Sequence, residues 1–534
     1  MSEGSEYNVN LKHPKPINYS VSKLSIINSS QGYDDDSSEN NNEHSPPYVT
    51  GSRVNANSFN TTSRQVYADR FVDLNLVDRQ IKVHFLDNEV ILDSINYKHS
   101  FLLKCQIGLS FCCLLNVGMA DQTTGILLPS LMDYYHVDNS IVSYIFLVQF
   151  LGFLLAATTN DFLHKTFGVR GTILSAQLAC IICFGVCSLK PPFAFLIIIY
   201  LLNGFSTGCQ NSTFNSWAGK LNYNNQILGL LHAAYGIGSI LTPVFGAFVL
   251  KHSNGNWNEW YFILVLNASL LFISCYFGFK NENNIKHLFL LQNKPNRQRQ
   301  PFKESQTNYE KFTFFKILQN KTIWFFSIPL FLIIGNEVSM GNWLYNYLMV
   351  IHNISTTASS FITSSFWLCL TVGRVVLGFI IGHFFEKKEI KVLYYLCISI
   401  SLFTFLFAII PIVTIKCMNA FVVGFFVGPV FATTAIAAMQ VLPLELHISG
   451  VTFITSMGGS GSGVVPYLVG LLSSLNGEED AKGLKLFPWI SFVNFALATC
   501  IFTYFYQHYY HRDKHTTDRD NELEMDDDIN YETL

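Results

Sequence analysis

Four ionisable side chains lie deep inside apolar stretches of this 534-residue sequence: Asp121, Glu337, Arg374 and His232. A charge at mid-bilayer costs about 2.5–3.5 kcal/mol even on the lenient insertion scale, so each needs a partner or a wet cavity. Asp121 and Glu337 are carboxyls at middle to outer depth, and a buried carboxyl that alternates between neutral and charged forms is what a proton-coupled cycle requires. Both are proton-coupling candidates. Their plainer roles are polar bonding for Asp121 and a counter-ion for Glu337. Arg374 falls roughly 10 Å nearer the cytosolic face when depth is counted at about 1.5 Å per residue, which predicts no direct bond to Glu337. It either ties inner helix ends together or binds substrate. His232, near the inner interface, reads as a hydrogen-bonded packing residue.

Neutral polar groups surround these positions. Asn116, Gln122, Gln149, Asn203, Gln210, Asn211, Asn336, Asn342 and Asn346, with Trp343 and Trp367, form the candidate substrate cavity. Amides both donate and accept toward hydroxyls, and aromatic faces cover the apolar side of a ring, so the set suits a small polyhydroxylated solute. Interhelical bonding, about 0.6 kcal/mol on average, is the ordinary alternative for any one amide. Two enzyme signatures are missing from the sequence: there is no Gly-x-x-x-x-Gly-Lys-Ser/Thr loop and no His-Glu-x-x-His. The twelve cysteines all fall in or beside apolar stretches, and Cys180, Cys183 and Cys187 follow helical spacing as small apolar residues. The expectation is a non-enzyme with no metal and no cofactor beyond a proton as coupling ion.

These residues need a membrane to be buried in. Half of the chain is apolar and 13% is charged, against roughly a quarter in soluble domains. A net charge of -3 leaves no basic surface for nucleic acid. A spanning helix takes about 20 apolar residues. Twelve segments qualify, near 101-128, 141-159, 171-189, 193-214, 227-250, 260-279, 322-350, 357-382, 391-411, 417-440, 448-474 and 487-508. The predicted fold is all-α and polytopic. Residues 1-100 read as a disordered cytosolic tail without a removable signal peptide, 101-280 as one six-helix bundle, 281-321 as a cytosolic central loop, 322-508 as a second bundle and 509-534 as an acidic tail. With the amino terminus inside, the cytosolic connections carry fifteen Lys and Arg against five outside, which places both termini in the cytosol. The bilayer is then the one large partner of a monomer. Asn353-Ile-Ser355 is a sequon in a short predicted outer loop.

The halves repeat. Gly236-x-Gly238-Ser239-x-x-x-Pro243 recurs as Gly459-x-Gly461-Ser462-x-x-x-Pro466, and Gly204-Phe205-x-x-Gly208 as Gly424-Phe425-x-x-Gly428. Ser143 with Gly152 recurs as Ser364 with Gly373. Such order is the signature of transporters built from parallel repeats. Small residues let helix backbones approach, and the prolines let helices bend, so Gly236, Gly238, Pro243, Gly459, Gly461 and Pro466 are candidate gating or packing positions.

Several motifs are more specific: Gly118-x-x-Asp121 with Gly125-Ile-Leu-Leu-Pro129, His232-x-x-Tyr235-Gly236-x-Gly238, Gly335-Asn336-Glu337 with Gly341-Asn342-Trp343, Phe366-Trp367 with Gly373-Arg374, and Gly428-Pro429. Over about residues 100 to 510 the chain resembles the major facilitator superfamily, its fucose-proton symporter branch, and there the fungal members of unassigned substrate called bypass-of-stop-codon proteins. The resemblance implies a cavity lined by spans one, four, seven and ten. It also implies that Asp161, Gly168 and Arg170 stand for part of the loop motif between spans two and three, although Ala157 replaces its leading Gly. Bacterial fucose-type symporters use an acid in span four, and 193-214 has none. The expected function is a secondary active transporter moving a small polar, sugar-like solute by alternating access with proton coupling, in the plasma or vacuolar membrane. A membrane sensor with the same fold and an exporter of amphiphilic compounds are the alternatives.

Overall fold

A computed structural model of the chain describes residues 80–292, 316–385, 388–443, 446–474 and 483–508, together with 66, 67, 72, 74 and 77. The expected carboxyl tail and most of the expected amino-terminal tail lie outside the described residues. Ten described helices are long and apolar enough to cross a membrane. Asn139–Ser188 counts once among them, but its 50 residues would extend about 75 Å, far more than one crossing needs. It reverses at Gly168, whose φ of 71° and ψ of -175° suit glycine alone. That helix therefore supplies spans two and three. The Gly- and Ser-rich helix His447–Ser473 completes the set of twelve.

The spans follow the expected order: Phe101–Tyr135, the two halves of Asn139–Ser188, Phe193–Ala218, Asn224–His252 and Asn258–Gly278 form the first six. Lys321–His352, Thr356–Phe384, Glu389–Ile409, Val413–Val427 with Val430–Val441, His447–Ser473 and Leu484–His508 form the second. Span ten is broken at Gly428-Pro429, where proline removes a backbone donor.

The repeated words make the same contacts in each half. A methyl group on Gly238 would lie 2.0 Å from the Leu115 carbonyl oxygen of span one, and one on Gly461 would lie 2.1 Å from that of Phe331 in span seven. Facing them, Gly118 abuts the Tyr235 carbonyl and Gly335 abuts that of Gly461. Gly152 and Gly204 interlock spans two and four, as Gly373 and Gly428 interlock eight and ten. Side-chain-free approach of this kind gains dispersion contact where lipid offers no hydrophobic drive. Gly236 and Gly459 face the other way: Thr371 of span eight covers the first and Phe153 of span two the second.

One expectation needs correction. Within 1-100, Ile81–Phe85 and Asn88–Leu92 form an antiparallel hairpin in register Val83↔Val90, with Val66–Tyr67 pairing in parallel along its edge. Leu86 and Asp87 both adopt positive φ, as a two-residue hairpin turn demands. The hairpin buries Val83, Val90 and Leu92 against Phe289 of a short helix, Asn284–Gln292, inside the expected central loop. A lone hairpin is marginal in water, and this partner lies about two hundred residues away in sequence, beyond the reach of a local composition argument.

Candidate functional site

Asp121 sits in span one, three residues past the Gly118 interlock. Its carboxylate accepts from Gln149 Nε2 of span two at 2.9 Å and from the Tyr235 hydroxyl of span five at 3.1 Å. Thr207 Oγ1 of span four donates at 3.5 Å. Four spans of one bundle thus converge on one acid through neutral donors, and among the described residues no cation is paired with it. The sequence names Tyr235 only within a motif, without a role, and does not single out Thr207. Tyr235 precedes the repeated Gly236 word, and that was the available signal.

Glu337 is differently housed. Arg374 Nη2 donates to its Oε1 at 3.1 Å, while the same guanidinium reaches the Gly428 carbonyl through Nε at 3.3 Å. This corrects the expectation of no direct bond. Depth counted along straight helices measures backbone, whereas an arginine extends well past its Cα. Glu337 Oε2 is buried without a protein partner. Tyr235, which bonds Asp121, also packs edge-on to Trp367 of span eight with ring centroids 6.4 Å apart, so the Asp121 cage reaches the second bundle. His232 is half-buried.

The amides divide into three groups. Asn116 accepts from Asn267 Nδ2 at 2.7 Å, and Gln210 accepts from Gln177 Nε2 at 3.0 Å and donates to Ser206 at 2.9 Å. Asn336 donates to the Ser491 carbonyl at 3.2 Å, and Trp343 Nε1 to that of Pro466 at 3.0 Å. These four bond within a single bundle, the interhelical alternative, rather than toward a shared cavity. A second group joins the bundles: Trp367 Nε1 donates to Gln122 Oε1 at 3.0 Å, and the Asn342 backbone packs on Gly125. Gly125 and Asn342 each stand seven residues after their interlock glycines, so spans one and seven meet at matching heights. The third group is Asn203 and Asn346, fully buried with neither amide atom partnered by protein. Asn211 is half-buried. Asp161 pairs with Lys165 one turn away, and Arg170 lies 4.2 Å over the Tyr276 ring, so these two do not meet each other through an ion pair.

Among the described residues, close contacts between the bundles lie at the middle and at one end. There Ser140 N donates to Ser474 Oγ at 2.9 Å, Ser364 Oγ to the Ile240 carbonyl at 2.7 Å, and Gly470 packs on Ser143. At the other end the packing lapses: beyond Gly373, span eight buries only Ile381 before Phe384, and Gly378 and Gly382 touch nothing. That end carries Asp161 and Lys220, on the side the charge count assigns to the cytosol.

Comparison with known proteins agrees with this architecture. The chain is 31% identical over 426 residues to bypass of stop codon protein 6 of Saccharomyces cerevisiae, covering 77% of this chain and 84% of that one. It is 21% identical over 382 residues to the glucose/mannose transporter GlcP of Bacillus subtilis, covering 71% and 90%. A bacterial homologue of the human lysosomal transporter Spinster, solved inward-facing and unoccupied, superposes with a TM-score of 0.58 at 12% identity over 76% of this chain and 97% of that one. The profile of the Major Facilitator Superfamily matches residues 110–466. With that match, the paired six-helix bundles and their interlocked glycines, the chain belongs to the Major Facilitator Superfamily.

Proposed function

We propose that this protein is a secondary active transporter that carries a small polyhydroxylated solute between its two bundles by alternating access, and that Asp121 is where the proton binds. The observation that carries the reading is the neutral cage of Asp121. Gln149, Thr207 and Tyr235 can each rotate from donor to acceptor geometry, so a proton can arrive or leave without abandoning a buried cation. Glu337 has no such freedom while it holds Arg374. This narrows the pair of acids to one proton site and gives the other a structural task.

Closure at one end and lapsed packing at the other support a cycle in which Gln122 and Trp367 part when the bundles rock. The unpartnered amides of Asn203 and Asn346 suit hydroxyl-bearing cargo or the waters that accompany it. The likeness to a glucose/mannose transporter points the same way for substrate class. The test is uptake of a panel of sugars and polyols into proteoliposomes under an imposed pH gradient. The expected result is gradient-driven uptake that Asp121→Asn abolishes while solute exchange persists. Gradient-driven uptake that survives Asp121→Asn sinks the proton assignment.

A further inference from the structure

A polar cavity lies within the first bundle, at the end that carries Asp161 and Lys220. Its volume is 270 Å³, enough for a solute of several heavy atoms and short of the usual drug-sized range. Ala157, Asp161, Ser216 and Lys220 are exposed at its mouth, while His164, Val169, Thr213 and Trp217 are buried at its floor. His287 closes one wall from the short helix Asn284–Gln292, its ring 5.6 Å from that of His164.

The lining is rich in donors. Lys220, the His287 imidazole and the hydroxyls of Thr213 and Ser216 converge beside His164, whose Nδ1 meets the Asn160 carbonyl at 2.9 Å, and beside one carboxylate, Asp161, which pairs with Lys165. The Thr213 hydroxyl is fully buried and unpartnered. Leaving such a group bare costs about 1–3 kcal/mol, so it points to an acceptor that belongs there. Asn160 adds the opposite demand: its Oδ1 is buried without a donor. An oxyanion that also carries a proton satisfies both. His287, outside the spans, is held below the usual imidazole range by burial and then by the Lys220 charge, with His164 and Lys165 acting the same way and Asp161 against them. An anion beside it would offset the Lys220 charge and favour the protonated ring.

We propose that this cavity binds a phosphate-type oxyanion, a hydrogen phosphate or phosphate monoester, between Lys220, His164, Thr213 and His287. Such a ligand would pin the Asn284–Gln292 helix, and the hairpin packed on it, to spans two and four. The helix is already held there by backbone: Arg170 N donates to the Glu282 carbonyl at 2.9 Å, and a methyl on Gly168 would strike Asn283 at 2.2 Å. The inference stands on the cavity alone and does not depend on the transport reading.

The test is the thermal midpoint of the purified full chain in detergent, titrated at constant ionic strength and pH with sodium phosphate, sulfate or chloride. Phosphate should raise the midpoint in a saturable way; sulfate, with no proton for Asn160, should do less, and chloride nothing. The double variant Lys220→Gln/His287→Gln should lose the phosphate shift while keeping its ligand-free midpoint, and Thr213→Val should weaken the apparent affinity several-fold. Stabilisation by micelles doped with phosphatidic acid, absent in the double variant, would identify a lipid headgroup as the source of the same phosphate chemistry. Equal shifts with phosphate and chloride, or a phosphate shift unchanged in the double variant, overturn the proposal. If the double variant is unstable, Thr213→Val decides alone: an unaltered titration rejects the site.

Discussion

Two acids in corresponding helices of the two bundles sit in opposite surroundings. Asp121 is ringed by neutral donors from three neighbouring spans, and Glu337 is bound to a guanidinium that also braces span ten. The glycine interlocks on either side of them are equivalent. A duplicated scaffold has therefore kept its packing and let its charge chemistry diverge: one half surrounds its acid with neutral donors, the other ties its acid to a guanidinium.

The contrast can be broken in several ways. Removing one partner of a buried pair strands the other, at about 3–5 kcal/mol. Arg374→Ala should approach the lower part of that range, because its side chain is 23% exposed, and the double variant Glu337→Gln/Arg374→Met should recover most of the loss in a denaturation titration. If the single and double variants are equally unstable, the pair is not what holds span eight. Asp121→Asn should leave folding largely intact and instead abolish gradient-driven uptake while solute exchange persists. A stability loss matching that of Arg374→Ala would erase the distinction between the two acids. Gly238→Ala and Gly461→Ala should cost about 1–3 kcal/mol each by overpacking, and equally, because both methyls meet a carbonyl at nearly the same distance. Unequal losses in thermal unfolding would show that the scaffold has diverged along with the chemistry. The smallest effect belongs to Gln122→Leu, which removes a single bond between the bundles. At about 0.6 kcal/mol it should shift the populations of the two facing states only about threefold, read by cysteine accessibility at Ser140.

What was legible in the sequence was local or periodic. Apolar runs located the twelve spans, and the glycine words revealed both the duplication and, in effect, the interlocks, because close approach leaves glycine as its trace. What escaped required two distant segments at once. The alternation in Ile81–Phe85 and Asn88–Leu92 was visible, but the apolar face it needs is Phe289. Arg374 and Glu337 looked too far apart because residues were counted and side chains were not. The amides could be found but not sorted: whether Asn116 faces Asn267 or a solute depends on helix rotation, which an all-round apolar span does not encode.

The hairpin and the short helix it covers belong to the first bundle alone, so chain from that bundle is already committed as far as Gln292. The described chain resumes at Lys316, where Ile317 is buried and the Leu318 carbonyl accepts from Trp324, and the 24 residues from Gln292 to Lys316 could span at most about 80 Å. At that length the connection is long enough to join two bundles that assemble through their helical faces. Two separately expressed fragments divided within that connection should find each other in the membrane through their helical faces and reconstitute the whole.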